Sequence, residues 1–294
     1  MTIIDAHTHL WLRQDAVVDG QHIEALPGGR SRVFGEERQM LPPFLIDGRN
    51  SAEVFLSNMD YAQVGAAVVV QEIIDGNQDA YLLEVQRRYP DRFLCCALLD
   101  IDRGALTVPE GWRAASIPGH RMHRDLDSPE MMAAFKEMER RGIILSMCLD
   151  DNPRQIAQFA TVIRECPSLR IAIGHFGLAR SEHWLEQVQL ARAENVRIES
   201  GGITWLYHDE FYPFPGAVRA IRQAADEVGM DKLMWGSDYP RTITAITYRM
   251  SYDFILRSPE ISPEDKAAFL GGNALSFYGF HDLPELPYIK NMSE

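Results

Sequence analysis

Short apolar runs of strand character alternate with longer segments of helical period along this chain, and the alternation repeats eight times. The runs occupy residues 2–5, 66–71, 93–98, 114–117, 143–148, 170–174, 196–199 and 232–235. Several are apolar almost throughout, as in Ala66-Ala67-Val68-Val69-Val70, which is the pattern of parallel strands covered on both faces. The segments between them carry helix punctuation. Asn50 or Ser51 is placed to cap a helix with Phe55, Met59 and Ala62 on one face, and Gly65 ends it. Ser128-Pro129 and Asn152-Pro153 each set a capping residue before a proline at the first helical position. Gly142 closes the first of these helices, and Ile156, Phe159, Ala160 and Ile163 line one face of the second. Ser181 and Ser262-Pro263-Glu264 open two more. Alternating strand and helix argues for an α/β fold. Eight such units within 294 residues favour a (β/α)8 TIM barrel over a doubly wound sheet.

Chains of this length commonly hold more than one domain, but α/β barrels reach it as one, so residues 1–294 read as a single barrel domain. One connection is out of proportion. Residues 12–50, between the first strand and the first helix, read as a long loop without structure of its own, of the kind that covers an active site. Lys plus Arg is 29 and Asp plus Glu is 42, giving a net charge of −13, which argues against a nucleic-acid or anionic-membrane partner. No apolar run approaches the roughly 18 residues of a membrane span. The first residues lack the basic patch and apolar stretch of a signal peptide, so a cytoplasmic location is expected. Cys95, Cys96, Cys148 and Cys166 have no Cys-x-x-Cys spacing and read as buried reduced thiols.

Active sites of these barrels lie at the C-terminal ends of the strands. The first strand ends Asp5-Ala6-His7-Thr8-His9-Leu10-Trp11, and residues two apart share a face, so Asp5, His7 and His9 are expected in one cavity. The sixth run ends Gly174-His175, and the eighth ends Trp235-Gly236-Ser237-Asp238-Tyr239-Pro240. Three imidazoles and a carboxylate activate water in one of two ways. They hold a divalent metal that lowers the pKa of bound water. Alternatively, Asp238 acts as general base while the histidines polarise a carbonyl, with no metal.

These motifs, in this order, resemble the amidohydrolase superfamily. The branch they resemble holds 2-pyrone-4,6-dicarboxylate lactonase, sugar-acid lactonases and aminocarboxymuconate-semialdehyde decarboxylase. The resemblance runs from Ile3 to Gly272-Asn273-Ala274-Leu275. It implies that His7, His9 and Asp238 would ligate one divalent metal, zinc foremost. It also implies that Asp238 accepts the proton of the attacking water and that His175 contacts the substrate carbonyl or helps activate water. The fifth strand departs from the decarboxylase pattern, since Cys148-Leu149-Asp150-Asp151 stands where a metal-binding histidine is found. No lysine on the fourth strand is placed to bridge two metals. Glu72 is a substitute ligand or, more simply, a maker of structural hydrogen bonds, and Asp150 and Asp151 read as caps for the helix starting at Pro153.

After the fourth run comes Pro118-Gly119-His120-Arg121-Met122-His123-Arg124, a positive patch in an acidic chain, and arginine suits bidentate capture of a carboxylate. The sugar-lactonase members also carry an arginine and a histidine in this region. His120, Arg121 and His123 are therefore substrate-binding candidates, against the plainer reading of a solvated loop. Trp11, Trp205, Tyr207 and Tyr212 are candidates for a ring-stacking wall, with Trp11 foremost. Arg30, Arg32, Arg38 and Arg49 of the long loop extend the patch without a spacing argument to choose among them. Together these features lead to a lactone hydrolase acting on a small anionic or sugar-acid lactone. The alternatives are a metal-dependent decarboxylase and a lactone isomerase, and homo-oligomerisation is left open.

Overall fold

In the computed structural model, which describes residues 1–292, the chain first lays down β1 (Ile4–Thr8). Four short strands follow: β2 (Asp15–Val18), β3 (Gln21–Leu26), β4 (Arg30–Val33) and β5 (Glu36–Gln39). The remaining strands are β6 (Ala66–Val69), β7 (Phe93–Leu98), β8 (Ala114–Ile117), β9 (Ile144–Met147), β10 (Ile171–Ile173), β11 (Val196–Glu199) and β12 (Leu233–Met234). β1 and β6 to β12 join side by side in chain order as one parallel sheet of eight strands. Its two ends meet through backbone bonds: Ala6 N–H to Trp235 O at 2.9 Å, His9 N–H to Tyr239 O at 2.8 Å, and Asp238 N–H to His7 O at 2.9 Å. The sheet thereby closes into the expected (β/α)8 barrel.

Helices α1 (Ala52–Tyr61), α2 (Asp79–Arg88), α3 (Pro129–Arg141), α4 (Pro153–Glu165) and α5 (Trp184–Gln189) follow β5, β6, β8, β9 and β10, and β7 is followed by a short turn, Ile101–Arg103. α6 (Ile203–Leu206), α7 (Pro215–Val228), α8 (Met250–Arg257), α9 (Pro263–Ala267) and α10 (Asn273–Tyr278) complete the outer layer. Two apolar layers follow from strand alternation. Ile4, Ala6, Val68, Leu94, Cys96, Ile144, Ala172 and Met234 fill the barrel interior. Residues of the opposite parity, such as Val69, Cys95, Leu145 and Ile198, pack outward against Phe55, Phe135, Phe159 and Ile221 of the helices. The caps of α3 and α4 are as the sequence implies: Ser128 accepts from the Met131 N–H, and Asn152 from those of Arg154 and Gln155. Asp151 is not a cap for α4. It accepts instead from the Glu182 and His183 N–H groups at 3.2 and 2.9 Å, and α5 starts beyond them at Trp184 rather than at Ser181. Ser51 stands at the start of α1 without a capping bond, while Asn50 donates to the His9 carbonyl at 2.6 Å.

The expected structureless loop at 12–50 is instead an antiparallel sheet of four strands, ordered β2-β3-β4-β5. Its turns explain it. Val18 pairs with Gln21 across Asp19-Gly20, and both turn residues have positive φ, 49° and 73°. That is the geometry an Asp-Gly hairpin favours. Phe34-Gly35, at φ 50° and 79°, makes the same turn between β4 and β5. Val18, Ile23, Val33 and Met40 form a small core with Ile74 from the barrel side, so the sheet is fastened over the C-terminal mouth. All four cysteines are free thiols. Among the described residues no helix is long and apolar enough to cross a membrane.

Candidate active site

The register of β1 against β6 decides which of its polar residues reach the mouth. Asp5 pairs with Ala67 and Thr8 with Val69, so β1 carries one extra residue there, a bulge that re-aims side chains. Asp5 therefore does not share a cavity with the histidines, contrary to the simple two-residue period. It points into the outer layer, accepting from Tyr248 Oη at 2.7 Å and Ser237 N–H at 2.8 Å. Burial first of all raises its pKa to about 7. Beyond the bulge, His7 and His9 turn inward.

His7 Nε2 and His9 Nε2 stand 3.2 Å apart, and His9 Nε2 is 3.0 Å from Asp238 Oδ1. His7 Nδ1 meets Glu199 Oε1 at 2.6 Å, and Glu199 Oε2 accepts the Gly201 N–H at 2.6 Å. All four side chains are buried. Burial, followed by the neighbouring His9, pushes the pKa of His7 down to about 3. Burial raises that of Glu199 to about 7, opposed chiefly by His175. A neutral imidazole donating from Nδ1 to the Glu199 carboxylate suits both the Gly201 donor and the ring geometry. That tautomer leaves the lone pair of His7 Nε2 facing His9 and Asp238. Asp238 behaves oppositely to Glu199. Burial raises its pKa, but the His9 hydrogen bond and charge, Arg241 and His175 outweigh it, and the carboxyl is held well below the usual range. Trp205 Nε1–H donates to Asp238 Oδ2 at 2.7 Å. Asp238 and His175 both sit at positive φ, 57° and 52°, a strain that packed surroundings must hold. Part of that packing is glycine: a Cβ at Gly236 would lie 2.8 Å from His7 Cβ.

Ligand atoms of His7, His9 and Asp238 lie within 4.8 Å of one another. Two ligands of a tetrahedral zinc with bonds near 2.0–2.1 Å stand about 3.3 Å apart, and two facing imidazole lone pairs need a proton or a cation between them. The donor set thus fits a divalent metal. The site is the floor of a cleft of about 660 Å³ whose walls include Glu72, His120, Arg121, His175, Trp205 and Arg241, with Phe34, Arg38 and Met40 from the inserted sheet.

His175 Nδ1 donates to the Gly201 carbonyl at 2.9 Å, leaving Nε2 as an acceptor. Burial and then His7 push its pKa down to about 4, so the ring is neutral near pH 7. His120 and Arg121 both face Glu72, each at 3.1 Å. Burial raises the Glu72 pKa, yet His120 and Arg121 outweigh it and lower it to about 2. Glu72 is thus an ion-pair partner of the cleft wall, apart from the His7–His9–Asp238 cluster. Cys148 and Ser146 occupy the fifth barrel strand's end beside His7 and His9. Two of the substrate-binding candidates lie elsewhere. His123 is 76% exposed, bonded to Asp102 at 3.0 Å, and lines an outer groove with Arg124 and Arg154 that adjoins the cleft across Phe34, His120 and Arg121. Trp11 is 1% exposed, donates to the Gly48 carbonyl at 3.0 Å and lies under Arg241 rather than in the cleft wall. Glu199, Arg241 and Asp75 were not singled out from the sequence. Glu199 closes an apolar run just as Asp238 does, so the same rule would have found it. Arg241 and Asp75 carry no comparable local signal.

The fold and site together define a barrel enzyme class with imidazoles from the first and sixth strands and a carboxylate from the eighth. A family model for amidohydrolases matches residues 4–280, and the chain belongs to that family. An L-fucono-1,5-lactonase from Burkholderia ambifaria is 28% identical over 301 positions, covering 94% of each chain. A probable 2-pyrone-4,6-dicarboxylic acid hydrolase from Acinetobacter baumannii, solved with citric acid, is similar in structure. Its TM-score is 0.70 at 18% identity, over 95% of this chain and 100% of that one. An amidohydrolase from Burkholderia multivorans solved with bound zinc gives 0.68 at 18% identity, over 97% and 100%. At such identities the two structures establish the fold alone.

Proposed function

We propose that the protein hydrolyses a lactone, a sugar-acid lactone foremost, in the cleft above His7, His9 and Asp238. The observation that carries this reading is a buried Asp238, bonded to His9 and Trp205, at the floor of a cleft whose wall carries Arg38, Arg121 and Arg241. The similarity to an L-fucono-1,5-lactonase along nearly the whole chain supports the substrate class.

His7, His9 and Asp238 would hold one divalent ion, zinc being favoured by two nitrogens and one oxygen. The chemistry such an ion supplies is a lowered pKa for water and a polarised carbonyl oxygen. Asp238 accepts a proton from water as the water oxygen bonds to the ring carbonyl carbon. The carbon–oxygen bond of the ring then breaks, and the proton passes to the leaving ring oxygen, giving a hydroxy acid. The field that makes Asp238 a modest base makes it a strong acid once protonated, which suits that second transfer. Neutral His175, a donor only to Gly201, orients water or a substrate hydroxyl by accepting a hydrogen bond. Arg121 and His120 meet the anionic or hydroxyl-rich side of the ligand.

Asp238→Asn is expected to lower kcat for aldonolactones by on the order of 10²–10⁴-fold, read with a pH indicator, with unchanged folding. Near-normal turnover in that variant sinks the mechanism. Carbon dioxide rather than acid release would point to decarboxylation, which Cys148 at the fifth barrel strand's end disfavours.

A further inference from the structure

A guanidinium with one edge satisfied and the other aimed at the general base lies just above Asp238. Arg241 Nη2 is 3.0 Å from both carboxylate oxygens of Asp75, and its guanidinium lies over the Trp11 ring at 5.8 Å. Its Nη1 is buried without a hydrogen-bond partner and stands 4.0 Å from Asp238 Oδ1. A purely structural arginine in such a place has its fork filled, because leaving a buried donor unpaired is destabilising. Asp75 is itself fixed: Gln14 Nε2 donates to it at 2.7 Å, and Ser31 of β4 donates to Gln14 Oε1. Ser31, Gln14 and Asp75 are all buried, so the chain of bonds runs from the inserted sheet to Arg241 without meeting solvent.

We infer that Arg241 binds the carbonyl oxygen of the ester being cleaved, and that Asp75 is its positioning residue. The inference rests on the lactone-hydrolysis reading. Water held by Asp238 attacks a carbon within a few ångströms of Nη1, so the oxygen that gains charge falls within reach of that unpaired N–H. His7 Nδ1 is engaged by Glu199 and His175 Nδ1 by the Gly201 carbonyl, while His120 and Arg121 face Glu72 on the far wall. Beside any ion held by His7, His9 and Asp238, Arg241 is the fixed cation nearest the base, and arginine keeps its charge at every working pH.

The test compares Arg241→Ala, Arg241→Lys, Asp75→Asn and the double variant R241A/D75N on an aldonolactone, with Asp238→Asn alongside. Loss of an oxyanion donor should lower kcat of R241A on the order of 10²–10³-fold with KM little changed. Added guanidinium ion should raise kcat of R241A in a saturable way and leave the wild type unaffected. D75N should lower kcat less than R241A, and the double variant should lose no more than R241A alone. Near-normal kcat in R241A and R241K overturns the inference, as does a loss that guanidinium cannot restore and that adds fully to D75N. If D238N is also active, the lactonase mechanism itself fails. If D238N alone is inactive, only the role of Arg241 falls.

Discussion

Two strand ends of this barrel present the same kinds of side chain and use them in opposite ways. After β1, His7 and His9 are buried and face Glu199 and Asp238 at 2.6 and 3.0 Å. After β8, the run His120-Arg121-Met122-His123-Arg124 splits. His120 and Arg121 turn in toward Glu72, whereas His123 and Arg124 turn out to Asp102 and Glu130. The first cluster is organised wholly by carboxylates brought from other strands; in the second, Glu72 from beyond β6 holds one half inward and the path of a short turn sends the other half outward. What separates the cleft histidines from the solvated one here is burial among side chains brought from other strands, which neither composition nor spacing displays.

The comparison breaks most readily at Glu199. Gln is nearly isosteric, but one of its two amide orientations sets an N–H against the Gly201 N–H and the other sets one against His7 Nδ1. Glu199→Gln should therefore unlock the His7 tautomer and weaken divalent-metal affinity by roughly 10–100-fold, as for other partners of metal-ligating histidines. Metal content after dialysis against a graded chelator reads this directly, apart from any activity assay. Unchanged retention would show that Glu199 has no part in presenting His7.

The barrel was legible because each strand is a local apolar run, and the site because His7, His9, His175 and Asp238 stand at the ends of such runs. Three things were hidden. The bulge in β1 flips Asp5 away from His7, and a period-two reading carries no sign of an extra residue. The inserted sheet announces itself only in its turns Asp19-Gly20 and Pro27-Gly28-Gly29, since Phe34 at φ 50° is an unusual turn residue and the strands between are short and polar. Arg241 and Asp75 are 166 residues apart in the chain, and only closure of the barrel joins them.

The second cluster is sharpened by its own carboxylate. Glu72→Gln should raise KM with kcat little changed, because it frees His120 and Arg121 in the cleft wall. It should also cost about 1–3 kcal/mol of stability near neutral pH, as expected for unpairing a buried group. The Glu72 pKa is lowered from 4.5 to about 2 in the folded state. Its contribution is thus complete above the unfolded value and is lost as pH falls through the folded one. Denaturant unfolding of wild type and E72Q should converge as the pH is lowered through that window. A stability gap that persists at the acid end would assign the effect to packing instead.

His123 gives the smallest expected effect and the cleanest contrast. Its side chain is 76% exposed, and its Asp102 partner also accepts the His123 and Arg124 backbone N–H groups, which the substitution His123→Ala leaves in place. Exposed ion pairs are worth about 0–1 kcal/mol, so H123A should shift KM by no more than about fivefold. Arg121→Ala, two residues earlier but within the cleft wall, should raise KM well beyond that. Steady-state kinetics of the two variants side by side settle whether the outer groove takes part in binding. A KM rise in H123A as large as that in R121A would extend the substrate site past Arg121 into that groove, and would erase the distinction between the two halves of the run.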